Sequence, residues 1–104
     1  MKICIVGGRV EDYPRLDKKL NELIEMSGQY LFTLICGKGS LGELWGRKNG
    51  SGIEYYAGDE PEAAMNYLIK HADYAFVFYN GENNYLRRFI MKMKESGKHG
   101  YVFK

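Results

Sequence analysis

The sequence predicts an α/β fold: a three-layer sandwich with helices on both faces of a five-stranded, mainly parallel sheet. Two observations carry this. Short apolar runs rich in β-branched and aromatic residues alternate with stretches of helical periodicity from end to end. Most of the glycine and small polar residues outside plain helix stops fall in the loops that leave three of those apolar runs. The chain has 104 residues, enough for one domain with one core, so residues 1–104 are read as a single domain. No linker, internal repeat or low-complexity segment interrupts it.

Each element has its own signal. KICIV, residues 2–6, is a β-branched run closed by Gly7-Gly8 and reads as a buried strand. Asp12 and Pro14 then punctuate a helix start. Leu16, Leu20, Leu23 and Ile24 make one helical face, and Ser27-Gly28 stops the helix. Residues 30–36, YLFTLIC, form a second buried strand. A glycine loop and a short helix to about residue 48 follow, and Asn49-Gly50-Ser51-Gly52 is turn chemistry. Residues 53–57 give a third strand. Asp59-Glu60-Pro61-Glu62 opens a helix with an N-cap, an early proline and a carboxylate; Ala63, Ala64, Tyr67 and Leu68 form its inner face. Residues 73–79, DYAFVFY, are the most strand-like run and therefore central. A longer helix over 85–95 buries Leu86, Phe89, Ile90 and Met93, and residues 101–103 give the last strand. Right-handed crossovers with a reversal after the third strand give the order 3-2-1-4-5, a Rossmann-like sheet; the order 2-1-3-4-5 competes.

Bulk properties narrow the partners. A formal charge of +2 does not argue for nucleic acid. Cys4 and Cys36 sit inside apolar runs with neither metal-ligand nor disulfide-framework spacing, which predicts buried free thiols in a reducing compartment. The first residues are too quickly interrupted for a signal peptide, and no apolar run has membrane-spanning length. The expectation is a cytoplasmic protein without a membrane partner, a metal or a cofactor.

In an open α/β sheet, ligands bind outside the carboxyl ends of the strands at the switch point. The predicted order brings together GGRVED (residues 7–12), GKGSLGE (37–43) and YNGENN (79–84). Glycines let backbone N–H groups approach phosphate, and the next helix adds the positive end of its dipole. Arg9 and Lys38 add charge. Gly37, Gly39 and Gly42 match G-x-G-x-x-G, but after the second strand rather than the first and without the acidic residue that would meet a ribose.

In order along essentially the whole chain stand Gly7-Gly8-Arg9, the loop from Gly37 to Glu43, Ala72-Asp73 before the fourth strand, and Tyr79-Asn80-Gly81 after it. This pattern resembles the SLOG superfamily of Rossmann-like domains, which includes the DprA and lysine-decarboxylase-like (LOG) proteins, and above all its small YspA-like members. Those read GGR, then a loop like GGARGAD, then AD before a strand, then a loop with glycine and Ser or Thr. The resemblance implies binding of nucleotides or nucleotide-derived ligands, often by sensor domains in stress, defence or anti-defence settings. Glu43 replaces the usual aspartate, and GENNYLRR lacks the Gly-Thr of the fourth loop. In LOG-type phosphoribohydrolases a catalytic glutamate follows that Gly-Thr by three; if Asn83-Asn84 takes its place, the corresponding residue here is Arg87. The resemblance therefore favours a binding protein, a sensor or a sequestering subunit, over an N-glycosidic hydrolase, in which Glu43 or Glu82 would have to substitute. A protein-interaction module with a vestigial pocket is the third reading.

The ligand-binding candidates are Gly7, Gly8, Arg9, Gly37, Lys38, Gly39, Ser40, Gly42, Glu43, Tyr79, Asn80 and Gly81. Each has a plainer reading. Ser40 and Glu43 spell a capping box, although Glu43 suits a ribose hydroxyl; Gly39 and Gly42 serve positive φ or close helix–strand packing. Trp45 reads as packing before base stacking, and Tyr79 as rim packing before stacking. Asn83 and Asn84 read as helix caps. Arg87, Arg88, Lys92, Lys94 and Lys98, relieved only by Glu95, form a solvated basic stripe; no nucleic-acid motif accompanies it. No nucleophile–base pair suggests a catalytic residue. Nine tyrosines argue for self-association through a helix face, hence a homo-oligomer.

Overall fold

The computed structural model describes residues 1–28, 32–56, 61–79 and 81–103. The chain runs β1 (Lys2–Val6), a 3-10 turn (Val10–Asp12), α1 (Tyr13–Ser27), β2 (Thr33–Cys36), α2 (Leu41–Asn49), β3 (Gly52–Tyr55), α3 (Pro61–His71), β4 (Tyr74–Phe78), α4 (Asn84–Glu95) and β5 (His99–Phe103). All pairings are parallel and the order is β3-β2-β1-β4-β5, which excludes the 2-1-3-4-5 competitor. β1 pairs with β2 on one side and β4 on the other, Ile3 lying opposite both Leu34 and Tyr74. The topological switch point therefore lies between β1 and β4.

A parallel sheet covered on both faces needs strands that are apolar on both faces, which is why β1 and β4 read as continuous runs. Ile3, Ile5, Leu34, Phe76 and Phe103 meet Leu16 and Leu20 of α1 and Leu41 and Trp45 of α2. Cys4, Ile35, Ala75 and Val77 meet Met65 and Leu68 of α3 and Phe89 and Met93 of α4. Both cysteines are free and buried, as expected, and burial pushes the Cys4 thiol up to about 12.

Two glycines set how α2 lies. A Cβ on Gly42 would fall 2.9 Å from the Cys36 Cβ and 3.1 Å from the Ile5 Cβ; one on Gly46 would fall 3.0 Å from Ile53. One turn apart, they give α2 a bare stripe against β1, β2 and β3. At the opposite end of the sheet the Lys2 N–H donates to the Asp73 carboxylate at 2.8 Å, and the Asp73 N–H returns a bond to the Lys2 carbonyl at 2.7 Å. This clasp closes the β1–β4 seam below the strands.

Several boundaries differ from the sequence expectation. Phe32 precedes β2, and β5 begins at His99 because it pairs with Tyr74 from there. Ala63 faces outward, and Met65 takes the buried place beside Ala64. The expectations at residues 30, 31, 57, 59 and 60 lie outside the described residues. Among the described residues no helix is long and apolar enough to cross a membrane.

Candidate functional site

Two clefts open at the carboxyl ends of the strands, and the loop after β1 is the wall between them. The first, about 560 Å³, lies between that loop and the start of α4. The second, about 490 Å³, lies between the same loop and the start of α2. Both are within the usual range for small-molecule sites. Gly8 and Arg9 line both.

The loop can be thin because its glycines adopt conformations that side chains avoid. Gly7 has φ +77° and Gly8 φ +92°. A Cβ on Gly8 would fall 2.8 Å from a Leu41 methyl and 3.0 Å from the Phe78 ring. Beyond it the chain closes on itself: the Arg9 N–H donates to Asp12 Oδ2 at 2.9 Å, and the Asp12 N–H donates to the Arg9 carbonyl at 2.9 Å.

The first cleft has a cationic and an aromatic side. Arg15, in the first turns of α1, donates to Asp12 Oδ1 at 3.2 Å. Its guanidinium carbon stands 5.2 Å from the Phe103 ring centre and 5.7 Å from that of Phe78. Those two rings stack in parallel, centres 4.2 Å apart and planes 6° apart. Opposite, Asn83 caps α4 by accepting the Leu86 N–H at 3.1 Å. Tyr79 also lines this cleft, half-buried, its N–H bonded to the Phe103 carbonyl at 2.8 Å.

The second cleft is built on the N-terminus of α2. The Ser40 hydroxyl accepts the Glu43 N–H at 3.3 Å and donates to the Gly37 carbonyl at 2.6 Å. Only half of the expected capping box forms. The Glu43 carboxylate accepts the Gly39 N–H at 3.4 Å instead of bonding to Ser40, whose N–H is already given to the Gly37 carbonyl at 3.3 Å. The Glu43 carboxylate also lies 3.6 Å from the Arg47 guanidinium. The Tyr55 hydrogen bond, then the Gly39 N–H and the Arg47 and Lys38 charges, hold its carboxyl below the usual carboxylate range. The protein's own carboxylate thus occupies the anion position of this loop.

Of the sequence candidates, Gly7, Gly8, Arg9 and Tyr79 share the first cleft, and Gly8, Arg9, Gly39, Ser40 and Glu43 share the second. Gly42 lies beneath α2 in the core rather than at a cleft surface. Gly37 and Lys38 turn toward the end of β3: a Cβ on Gly37 would meet the Tyr56 hydroxyl at 3.0 Å, and the Lys38 ammonium stands over the Tyr55 ring. Gly81 is exposed at φ +93°, and Asn80 lies outside the described residues. Trp45 is packing: 2 % exposed, its indole N–H donates to Asp17 at 2.9 Å. Asp73 belongs to the clasp at the far end of the sheet, and Ala72 is buried in the core with its N–H bonded to the Leu68 carbonyl. Arg15, Phe78, Phe103 and Arg47 complete the clefts and are not among the sequence candidates, whereas Asp12 comes from the loop after β1. The available signal was topological, since the first turns of a helix that follows β1 return to the same sheet end as the last residues of β4 and β5. Among the described residues no three His, Cys, Asp or Glu side chains are grouped to hold a metal ion. Comparison with protein-family models and with curated proteins finds no match to this chain.

Glu43 carries a pH signature. A carboxyl whose pKa is lowered by folding adds stability above its unfolded pKa and loses it as pH falls through the folded one. Glu43→Gln should be less stable than the parent at neutral pH, and the gap should close as pH drops below about 4. Urea unfolding from pH 7 downward measures this; a gap constant with pH would refute it.

Proposed function

We propose that this protein binds a small nucleotide-derived ligand, a nucleotide, cyclic nucleotide or ADP-ribose-type molecule, at the loops after β1, β2 and β4, as a sensor or sequestering protein. The observation that carries the reading is the pair of clefts sharing the Gly7-Gly8-Arg9 wall at the switch point. Arg9 and Arg15 offer charge to phosphate in the first cleft, and the Phe78–Phe103 pair offers an apolar wall beside them. Glu43 repels phosphate but accepts from hydroxyls, so a ribose suits the second cleft better. The resemblance to SLOG domains supports the same class of ligand. Glu43 is held ionised and has no proton to give a leaving base, which favours binding over N-glycosidic hydrolysis.

A thermal-shift panel of nucleotides, cyclic dinucleotides and ADP-ribose tests this. A ligand at about a hundred times its Kd should add roughly 2.7 kcal/mol, several degrees in a domain of this size. Arg9→Ala should weaken a responding ligand by about tenfold or more, the loss of one charge-assisted contact. A panel without response would overturn the reading.

A further inference from the structure

The outer side of the sheet beside α4 carries a separate surface. Among the described residues β5 is an edge strand, hydrogen-bonded to β4 alone. The Tyr79 N–H bonds to the Phe103 carbonyl across that pair. Successive residues of a strand aim their N–H and C=O groups to opposite sides. Phe103 and Tyr101 therefore aim theirs at β4, and Val102 and Gly100 aim theirs outward, along the free edge.

A small groove of about 70 Å³ runs beside this edge, under α4. Ala75, Val77 and Val102 floor it, and Ile90 and Met93 form its helical wall. Gly100 adds no side chain, and cannot: a Cβ there would fall 2.9 Å from the Ala75 carbonyl oxygen. The rim is cationic, with Lys94 from α4 and Lys98 from the turn that follows. Arg87 lies seven residues before Lys94, on the same helical face, and is exposed. Glu95 points about 100° further round the helix.

We propose that this edge accepts an extended acidic segment of another protein as an added strand. The backbone of the segment pairs with Gly100 and Val102, one small aliphatic side chain enters the groove, and carboxylates on either side meet Lys94 and Lys98. The charge of the rim selects the occupant. A second copy paired edge to edge would bring two cationic rims to one junction, and like charges gathered there are unfavourable. The groove shares no lining residue with the two clefts, and the proposal does not depend on the nucleotide reading.

The test is an NMR titration of the intact ¹⁵N-labelled protein with a blocked peptide of alternating glutamate and valine. The expected result is movement of the Gly100 and Val102 amides, with slowed hydrogen exchange at both. Lys94→Glu/Lys98→Glu, both surface changes, should weaken binding by about tenfold or more. A lysine–valine peptide should not bind. No movement at these amides by about 1 mM peptide would overturn the proposal. So would affinity unchanged in the double variant. An oligouridylate that moves the same residues at lower concentration than the peptide would assign the surface to nucleic acid instead.

Discussion

Replacing Trp45 with alanine is expected to lower the unfolding free energy by roughly 3–5 kcal/mol, the range for deleting a large buried aromatic. The indole is 2 % exposed, meets Phe32 at 6.0 Å between ring centres, and sits in the same cluster as Leu16, Leu20 and Leu41. Its loss opens a cavity where α1, α2 and the sheet meet. It also strips Asp17 of its indole donor. The melting temperature should fall on the order of 20 °C. Trp45→Phe separates the two contributions. It keeps most of the ring volume and should cost about 1–2 kcal/mol, chiefly the hydrogen bond. Urea unfolding followed by far-UV circular dichroism gives both numbers. A loss below about 1 kcal/mol in the alanine variant would contradict the packing assignment. Any nucleotide response should survive Trp45→Phe unchanged, since the ring lies in the core, away from both clefts.

Gly42→Val should cost roughly 2–4 kcal/mol, although valine is the better helix former by a few tenths. The added atoms would meet the Cβ atoms of Cys36 and Ile5, which are fixed to two central strands and cannot swing aside. Relief requires α2 to lift off the sheet, and Ser40 and Glu43 would move with it. The variant should therefore lose stability and disturb the second cleft together. Gly39→Ala is the contrast. Its Cβ would meet nothing within 4 Å, so only the φ of +73° opposes it, at about 1 kcal/mol. Chemical denaturation of the two variants side by side checks the order. Equal losses would show that conformation, not contact, explains both glycines.

The strand order was legible because it follows from local signals. Five apolar runs separated by helices force parallel crossovers, and a glycine-bearing loop after β1, β2 and β4 marks the sheet end where sites form. What remained hidden depends on register and on competition among side chains. Phe78 and Phe103 are 25 residues apart, and only the β4–β5 pairing puts them face to face. Arg15 reads as one more polar residue on an amphipathic helix until that ring pair lies beside it. Glu43 could satisfy Ser40, Gly39 or a ligand, and the sequence does not rank them; Tyr55 and Arg47 decide it in three dimensions. Lys38 stands over the Tyr55 ring at the end of β3, a contact that only the β2–β3 pairing creates. Ala63 failed as a core position because alanine carries little preference and Met65 fills the space better.

The clasp between Lys2 and Asp73 also bears on how the chain is made. Its partners are 71 residues apart, so β1 gains its second neighbour only after three helices have been synthesised. At about 5–20 residues per second, that is a delay of roughly 4–14 s. During it, β2 and β3 can already flank one side of β1. The other side, carrying the backbone groups of Lys2, Cys4 and Val6, keeps its hydrogen-bonding groups open to whatever strand arrives. On the ribosome, the nascent half-sheet thus passes through a sticky interval that ends when β4 emerges.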